Sequence, residues 1–306
     1  MKKQSDSFWG TVRKHRHFYL FVSPFFILFA IFGVYPLVFS LFLSFVKWDG
    51  LTGMTYVGVD NFVTLFADRT FYVSLWNTVV IGILYVPIMF VLAFFFALLL
   101  NSRAVPFRGF FRAAVFIPCI TPMVVVAIVF GLFYGTESGL FNFIYQTAAS
   151  LLPWGPVPPI PWLSDSRWVK ISIAILLVWR WTGYNMILML AGLQGIPVEY
   201  YEAAKIDGVT RFQEAIHITL PLLRPMLVFC AITSLIGTVY MFDEVFVLTN
   251  GGPGTSSMNF GLYLFNKSFV DFRFGHASAA AYIVAVVVFM MTLVILRWRK
   301  SEMAIQ

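Results

Sequence analysis

The stretch that decides the architecture is Gly195-Ile196-Pro197-Val198-Glu199-Tyr200-Tyr201-Glu202-Ala203-Ala204-Lys205-Ile206-Asp207-Gly208-Val209-Thr210-Arg211-Phe212-Gln213-Glu214-Ala215-Ile216-His217-Ile218-Thr219-Leu220-Pro221. It is polar and lies between two long apolar runs. Pro197 suits a helix start. The short helix that follows carries Glu199 and Glu202 in its first turns, where the macrodipole favours acids. Gly208 can end it. Thr210 can cap a second short helix, which Pro221 closes off. Ala203, Ala204 and Gly208 leave one surface almost without side chains, so another protein can approach closely there. Two short, small-faced, charge-edged helices read equally well as a docking knob or as an amphipathic hairpin in the headgroup layer.

Outward from this loop the chain is apolar. Of its 306 residues, 60% are hydrophobic and 11% charged, against about 25% charged in soluble domains. A water-soluble fold of this size cannot hide so much apolar surface. A spanning helix needs about 20 mostly apolar residues, and six runs qualify. They are Phe18 to Val46, Phe71 to Ser102, Ala113 to Thr136, Ile171 to Leu193, Met226 to Leu248 and Ala277 to Leu296. The fourth holds one charge, Arg180, and the fifth carries Asp243 and Glu244 near its end. The expected fold is an all-α polytopic membrane protein. Its parts are a segment at 1–17, a first transmembrane helix at 18–46, a five-helix core at 71–297 containing the cytoplasmic loop 195–224, and a tail at 298–306. The first apolar run is too long for a cleavable signal, and no small-residue cleavage site follows it, so it reads as a retained helix. No internal repeat stands out.

Orientation follows from Lys and Arg. With the N-terminus inside, the cytoplasmic segments carry fourteen basic residues, among them Arg103, Arg108, Arg112, Lys205, Arg211, Arg224, Arg297, Arg299 and Lys300. The external loops carry six: Lys47, Arg69, Arg167, Lys170, Lys267 and Arg273. This bias places both termini in the cytoplasm. The formal charge of +7 is scattered in short clusters between apolar runs, a pattern of membrane loops rather than of a nucleic-acid groove. Trp48, Trp168 and Trp298 sit near span ends, at headgroup depth.

Pro24, Pro36, Pro87, Pro118 and Pro122 punctuate the spans, either as packing kinks or as hinges. The external run with Pro153, Trp154, Pro156, Pro158, Pro159, Pro161 and Trp162 is stiff and extended, as a plain rigid loop or as part of a docking surface. Cys119 and Cys230 lie inside apolar runs and read as buried hydrophobes; no metal-ligand spacing occurs. His15, His17, His217 and His276 fall outside the spans or at an edge. Neither Gly-x-Ser-x-Gly nor His-Glu-x-x-His is present, which argues against a membrane enzyme. There is no Gly-Lys dipeptide and hence no Walker A loop.

Glu202-Ala203-Ala204, then Asp207-Gly208, then Ile218-Thr219-Leu220-Pro221 resemble the EAA loop of permeases in binding-protein-dependent ABC importers, with matching spacing from Glu202 to Pro221. Leu248-Thr249-Asn250-Gly251-Gly252-Pro253-Gly254 resembles the external Gly-Gly-Pro turn of sugar-importer permeases. Leu190-Ala191-Gly192-Leu193-Gln194-Gly195-Ile196-Pro197 is also typical of that group, which includes the larger maltose-permease subunit and the glycerol-phosphate and multiple-sugar permeases. The resemblance runs from about the second span to the sixth. The chain departs from the maltose subunit in being much shorter, with no room for its extra N-terminal spans or large external insert.

The resemblance implies a type I ABC-importer permease fold in a bacterial inner membrane, in a chain that is not itself an enzyme and binds no cofactor. The implied partners are a second homologous permease, two ATPase subunits that use ATP and Mg, an external solute-binding protein and a carbohydrate. Glu202 and Asp207 would make polar contacts with the ATPase or serve helix termini, Ala203, Ala204 and Gly208 would allow close approach, and Ile218, Leu220 and Pro221 would complete the coupling segment.

For the substrate, Ser234, Gly237, Thr238 and Met241 share one face of the fifth span. Close helix packing in lipid explains such a face; the resemblance adds a second reading, hydroxyl partners for a sugar. On the fourth span stand Arg180, Trp181, Gly183 and Tyr184. Arg180 lies near mid-membrane, where a charge costs roughly 3 kcal/mol and faces a partner or a wet cavity. It reads either as an internal ion pair with Asp243 or Glu244, or as a ligand contact suited to a phosphorylated or acidic sugar. Trp181 and Tyr184 are candidates for stacking on sugar faces. The rival reading is a stand-alone secondary transporter or channel for a small polar solute. Such proteins commonly show repeats or paired broken helices and have no need of the Glu202 to Pro221 loop.

Overall fold

In a computed structural model, the chain is described at residues 15–102, 104–151, 155 and 157–303, with side chains to residue 297. Residues 1–14, Arg103, Leu152, Pro153, Trp154, Pro156, the side chains of residues 298–303 (Trp298, Arg299 and Lys300 among them), and residues 304–306 lie outside that description. The chain divides into two compact units, Met1–Ala67 with Lys267–Ile283, and Asp68–Asn266 with Val284–Gln306.

The first unit begins with α1, Arg16–Leu43. A π turn at Ala30–Val34 widens the helix just before Pro36, whose missing N–H would otherwise interrupt the ladder. Large apolar side chains are exposed all round it, Phe21 and Phe32 among them, as a lipid-facing helix requires. A hairpin follows, with β1 (Val46–Lys47) antiparallel to β2 (Thr55–Tyr56) and Val46 opposite Tyr56. Asp49 holds its turn: Oδ1 accepts from the amides of Thr52 at 2.7 Å and Leu51 at 2.9 Å. These bonds, that of Thr52 first, keep the carboxyl below the usual carboxylate range. Helix α2 (Asp60–Ala67) is anchored by Asn61, whose Nδ2 donates to the carbonyls of Val46 at 2.9 Å and Ser44 at 3.0 Å.

The second unit is built on two long helices, α3 (Arg69–Asn101) and α7 (Val169–Gln194). Asp68 caps α3 by accepting from the Thr70 amide at 2.8 Å. Ile81, Tyr85, Met89, Ala93 and Ala97 form a buried stripe at every fourth position of α3. It packs on Leu177, Met186, Met189 and Leu190 of α7, and the small residues at its lower end let the backbones approach. Arg112 Nη2 donates to the Leu100 carbonyl at 2.6 Å, a cation at the end of α3 where the helix dipole favours one.

Among the described residues, five helices are long and apolar enough to span a membrane, or six if one bent pair counts as a span. That pair divides the third expected run, Ala113 to Thr136, more sharply than a kink. It consists of α4 (Arg108–Ile120) and α5 (Met123–Phe133), bent by 95°. The cause is local: Pro122 pushes the residue before it out of the helical region, and Thr121 has ψ 136°. Helix α6 (Leu140–Ser150) was not anticipated; it lies in the segment ahead of the prolines. Asn142 binds that segment together: its Oδ1 accepts from the Ile160 amide at 2.9 Å and its Nδ2 donates to the Ile160 and Thr136 carbonyls, each at 2.9 Å.

Two further corrections fall on the loop and the fifth run. After α8 (Glu199–Ile206), Pro221 does not close a helix. Helix α9 runs unbroken from Arg211 to Tyr240, because a π turn at Ala215–Thr219 precedes Pro221 and the Leu220 amide bonds back to the Ala215 carbonyl. The run expected to reach Leu248 instead breaks at Met241 (ψ 127°) and Phe242 (φ −137°), and Asp243 and Glu244 open a separate short helix, α10 (Asp243–Leu248). The turn beyond it holds Asn250, Gly251 and Gly254 at positive φ. Polar residues of α3 serve the returning segment: Asn77 Nδ2 donates to the Thr255 and Met258 carbonyls at 2.8 and 2.9 Å, and Thr78 Oγ1 accepts from the Phe260 amide at 2.9 Å. Helix α11 (Phe260–Phe265) follows, and α12 (Phe274–Met303) ends the described chain.

Candidate functional site

Two places carry the candidate residues, the exposed hairpin α8–α9 and a cavity inside the second unit.

The hairpin is locally encoded. Gly208 sits at φ +73°; its amide bonds to the Lys205 carbonyl at 3.2 Å and the Val209 amide to that of Ala204 at 3.0 Å, the paired bonds of a Schellman helix end. Two residues on, Thr210 Oγ1 accepts from the Gln213 amide while Gln213 Oε1 accepts from the Thr210 amide at 2.9 Å, a full capping box. Glu202, Ala203, Asp207 and Gly208 are exposed, as are Leu220 and Pro221; Ile218 is half-buried. Ala204 departs from the expected small face: it is buried, 5% exposed, on the inner side of α8. The exposed face is completed instead by Ile206 and Phe212, 87% and 74% exposed. Two large apolar side chains flanking Gly208 were not read from the sequence, although apolar residues inside a polar loop are the signal for them. Among the described residues neither Glu202 nor Asp207 has a side-chain hydrogen bond or ion pair. Asp207 stands at a helix C-terminus, where the dipole disfavours an acid.

The cavity has a volume of about 250 Å³. Helix α3 contributes Tyr85 and Met89; α7 contributes Leu177, Trp181, Tyr184 and Asn185; α9 contributes Thr233, Ser234 and Gly237, followed by Met241 and Glu244. Five of the eight residues picked from the sequence thus converge here: Trp181, Tyr184, Ser234, Gly237 and Met241. Trp181 and Tyr184 meet edge to face with centroids 5.9 Å apart. Asn185 Nδ2 donates to the Trp181 carbonyl at 3.1 Å, while its Oδ1 is buried with no partner.

The other three do not line the cavity. Thr238 is buried beside the cavity, bonding to the Ser234 carbonyl at 2.7 Å and to Tyr85 Oη at 2.6 Å. Gly183 faces α4, where a Cβ would lie 2.0 Å from the Val115 carbonyl oxygen. Arg180 forms no ion pair with Asp243 or Glu244. Its Nη1 donates to the carbonyls of Thr121 at 2.8 Å and Pro118 at 3.3 Å, and its Cζ lies 5.4 Å from the Trp181 ring centroid. Tyr85, Asn185, Thr233 and Glu244 were missed because membership in the cavity depends on how distant helices pack. A larger groove of about 610 Å³ between α3, α4 and α7 is lined almost wholly by apolar side chains, with Thr182 the one hydroxyl among them.

Long apolar helices, one of them broken, a partly polar cavity among them and an exposed helical hairpin define an integral-membrane transport subunit. The chain belongs to the family of binding-protein-dependent transport system inner membrane components, which matches residues 89–299. It is 38% identical to the lactose transport system permease protein LacF of Rhizobium radiobacter over 88% of this chain and 89% of that one. It is 33% identical to the trehalose/maltose transport system permease protein MalF of Thermococcus litoralis over 91% and 92%, so its short length is shared by that relative. A crystal structure of a bacterial ABC transporter involved in import of the acidic polysaccharide alginate has a chain of the same fold (TM-score 0.81, 23% identity, 96% and 98% covered). The chain is therefore an importer permease, a transport subunit; a stand-alone transporter or channel is not favoured.

Proposed function

We propose that this chain forms one half of the translocation pathway for a carbohydrate delivered by an external solute-binding protein. The observation that carries this is the cavity. Hydroxyl and amide groups (Thr233, Ser234, Asn185) stand beside two aromatic rings (Trp181, Tyr184), the mixture that suits a sugar's polar edge and apolar faces. The sugar-permease relatives support the same substrate class.

The α8–α9 hairpin is the coupling element. Ala203, Gly208, Ile206 and Phe212 enter a cleft on an ATPase subunit, and Glu202 and Asp207 meet its polar rim. Ile218, Leu220 and Pro221 pass the motion into α9, on which Ser234 and Gly237 also stand; buried Ala204 fixes α8 from within. ATP and Mg act on two ATPase subunits, and a second, similar permease completes the pathway. Both termini are cytoplasmic in an inner membrane, a reading that the basic-residue bias supports. ATP-driven closure opens the cavity outward, and it opens inward at rest.

The test is ATPase activity of the detergent-purified complex, with and without its binding protein loaded from a panel of sugars and sugar phosphates. Stimulation by a loaded binding protein, lost when Glu202 to Pro221 is altered, is the expected result. Failure of any ATPase to co-purify under mild conditions sinks the proposal.

A further inference from the structure

We infer that the cavity admits uncharged sugars and rejects acidic ones, and that Glu244 is the residue that enforces this choice. The inference rests on reading the cavity as part of the sugar pathway.

Among the described residues that line it, Glu244 alone carries a charged group, and its side chain is largely withdrawn from solvent. The charged groups that act on it are Arg180 and Asp243. Arg180 does not line the cavity. Its guanidinium is engaged by the Pro118 and Thr121 carbonyls and lies against the Trp181 ring. From this chain's lining residues an anion in the cavity therefore meets a carboxyl and no cationic donor. Two carboxyl groups sharing a partly apolar site cannot both ionise without a large penalty, whichever holds the proton.

Asn185 adds a second, independent reason. Its amide orientation is set by the bond from Nδ2 to the Trp181 carbonyl, which leaves Oδ1 as a buried acceptor without a donor. A sugar hydroxyl can donate to it and to Glu244. An ionised carboxylate or phosphate has no proton to give, so it leaves the acceptor unsatisfied.

The test is equilibrium binding, by titration calorimetry, to the purified complex in lipid nanodiscs. The probes are lactose, maltose, trehalose and arabinobiose, each against an acidic counterpart (lactobionate, maltobionate, trehalose 6-phosphate and arabinobionate). At least one neutral sugar should bind about tenfold or more tightly than its acidic partner. Glu244→Gln should bring the pair within about threefold, chiefly by admitting the acid. Glu244→Asp should keep the discrimination. Equal binding of neutral and acidic sugars by the native complex, or a gap unchanged by Glu244→Gln, overturns the inference and leaves the sugar pathway standing. If no sugar of either kind binds, the sugar-pathway reading itself fails and this inference falls with it. Should Glu244→Gln not assemble, Asn185→Leu carries the test: it should narrow the gap by weakening the neutral sugar, and an unchanged gap counts against the idea.

Discussion

Arg180 and Thr121 are joined across two helices, guanidinium Nη1 to carbonyl oxygen, at 2.8 Å. Thr121 is the residue that Pro122 turns out of the helix, and the last carbonyls of α4 consequently have no intrahelical acceptor role to fill. Arg180 supplies their donor from the neighbouring α7 and sets a positive charge at a helix C-terminus, where the dipole is favourable. The mid-span charge is thus explained by the backbone at the 95° bend, without a carboxylate partner.

It follows that Arg180→Met should destabilise the permease by about 1–3 kcal/mol, the usual penalty for leaving buried polar groups without partners. Arg180→Lys should recover part of this, since an ammonium can reach one carbonyl but not span two. Thermal unfolding of the purified complex reads the order native, Lys, Met. If Met matches the native midpoint while sugar selectivity changes, Arg180 is a ligand contact and its structural role is refuted.

Gly183 and Gly237 offer the same chemical change with opposite expectations. At Gly183 a Cβ would overlap the Val115 carbonyl at 2.0 Å; at Gly237, on the cavity wall, nothing lies within 4 Å. Gly183→Ala should force α4 and α7 apart and cost about 1–3 kcal/mol, as overpacking does. Gly237→Ala should leave stability unchanged within about 0.5 kcal/mol, while Gly237→Leu should fill the cavity and reduce transport. Melting temperature and uptake, measured on all three variants, separate packing from pathway; a stable Gly183→Ala protein would refute the assignment of Gly183 to packing.

Tyr85 and Thr238 share a buried hydrogen bond of 2.6 Å between α3 and α9. Tyr85→Phe and Thr238→Val should each destabilise, and together by less than their sum, with a coupling of about 0.5–1.5 kcal/mol. A double-mutant cycle on unfolding of the complex measures it. Strict additivity would mean that the pair is not coupled in the membrane.

The parts of this molecule legible in the sequence are those written in local chemistry. Gly208 ends a helix because only glycine adopts its φ of +73° cheaply, and Thr210 with Gln213 forms a capping box three residues apart; both signals lie within a few positions. The long apolar helices were legible for the same reason. The bend at Thr121 was not, because apolarity continues through it, and Pro122 alone fits a kink as well as a break. The carbonyl partners of Arg180 were not legible because a sequence displays side-chain charges as partners but never free carbonyls. Glu244 and Tyr85 were missed because α3, α7 and α9 build the cavity together, and no spacing along the chain links position 85 to position 244.

Gly208 provides the last prediction, and it concerns coupling. A Cβ there meets nothing within 4 Å, but the positive φ strains any other residue, at roughly 1 kcal/mol or more. Gly208→Ala should therefore loosen the end of α8 slightly and leave most transport intact. Gly208→Arg suffers the same backbone strain and also sets a long charged side chain between Ile206 and Phe212, on the exposed face proposed to enter the ATPase. The Arg variant should reach the membrane in normal amount and melt near the Ala variant, yet lose sugar-stimulated ATPase activity. Comparing the two removes the backbone effect, so the difference reports on the surface alone. Normal uptake by Gly208→Arg would show that this face is not where the ATPase docks.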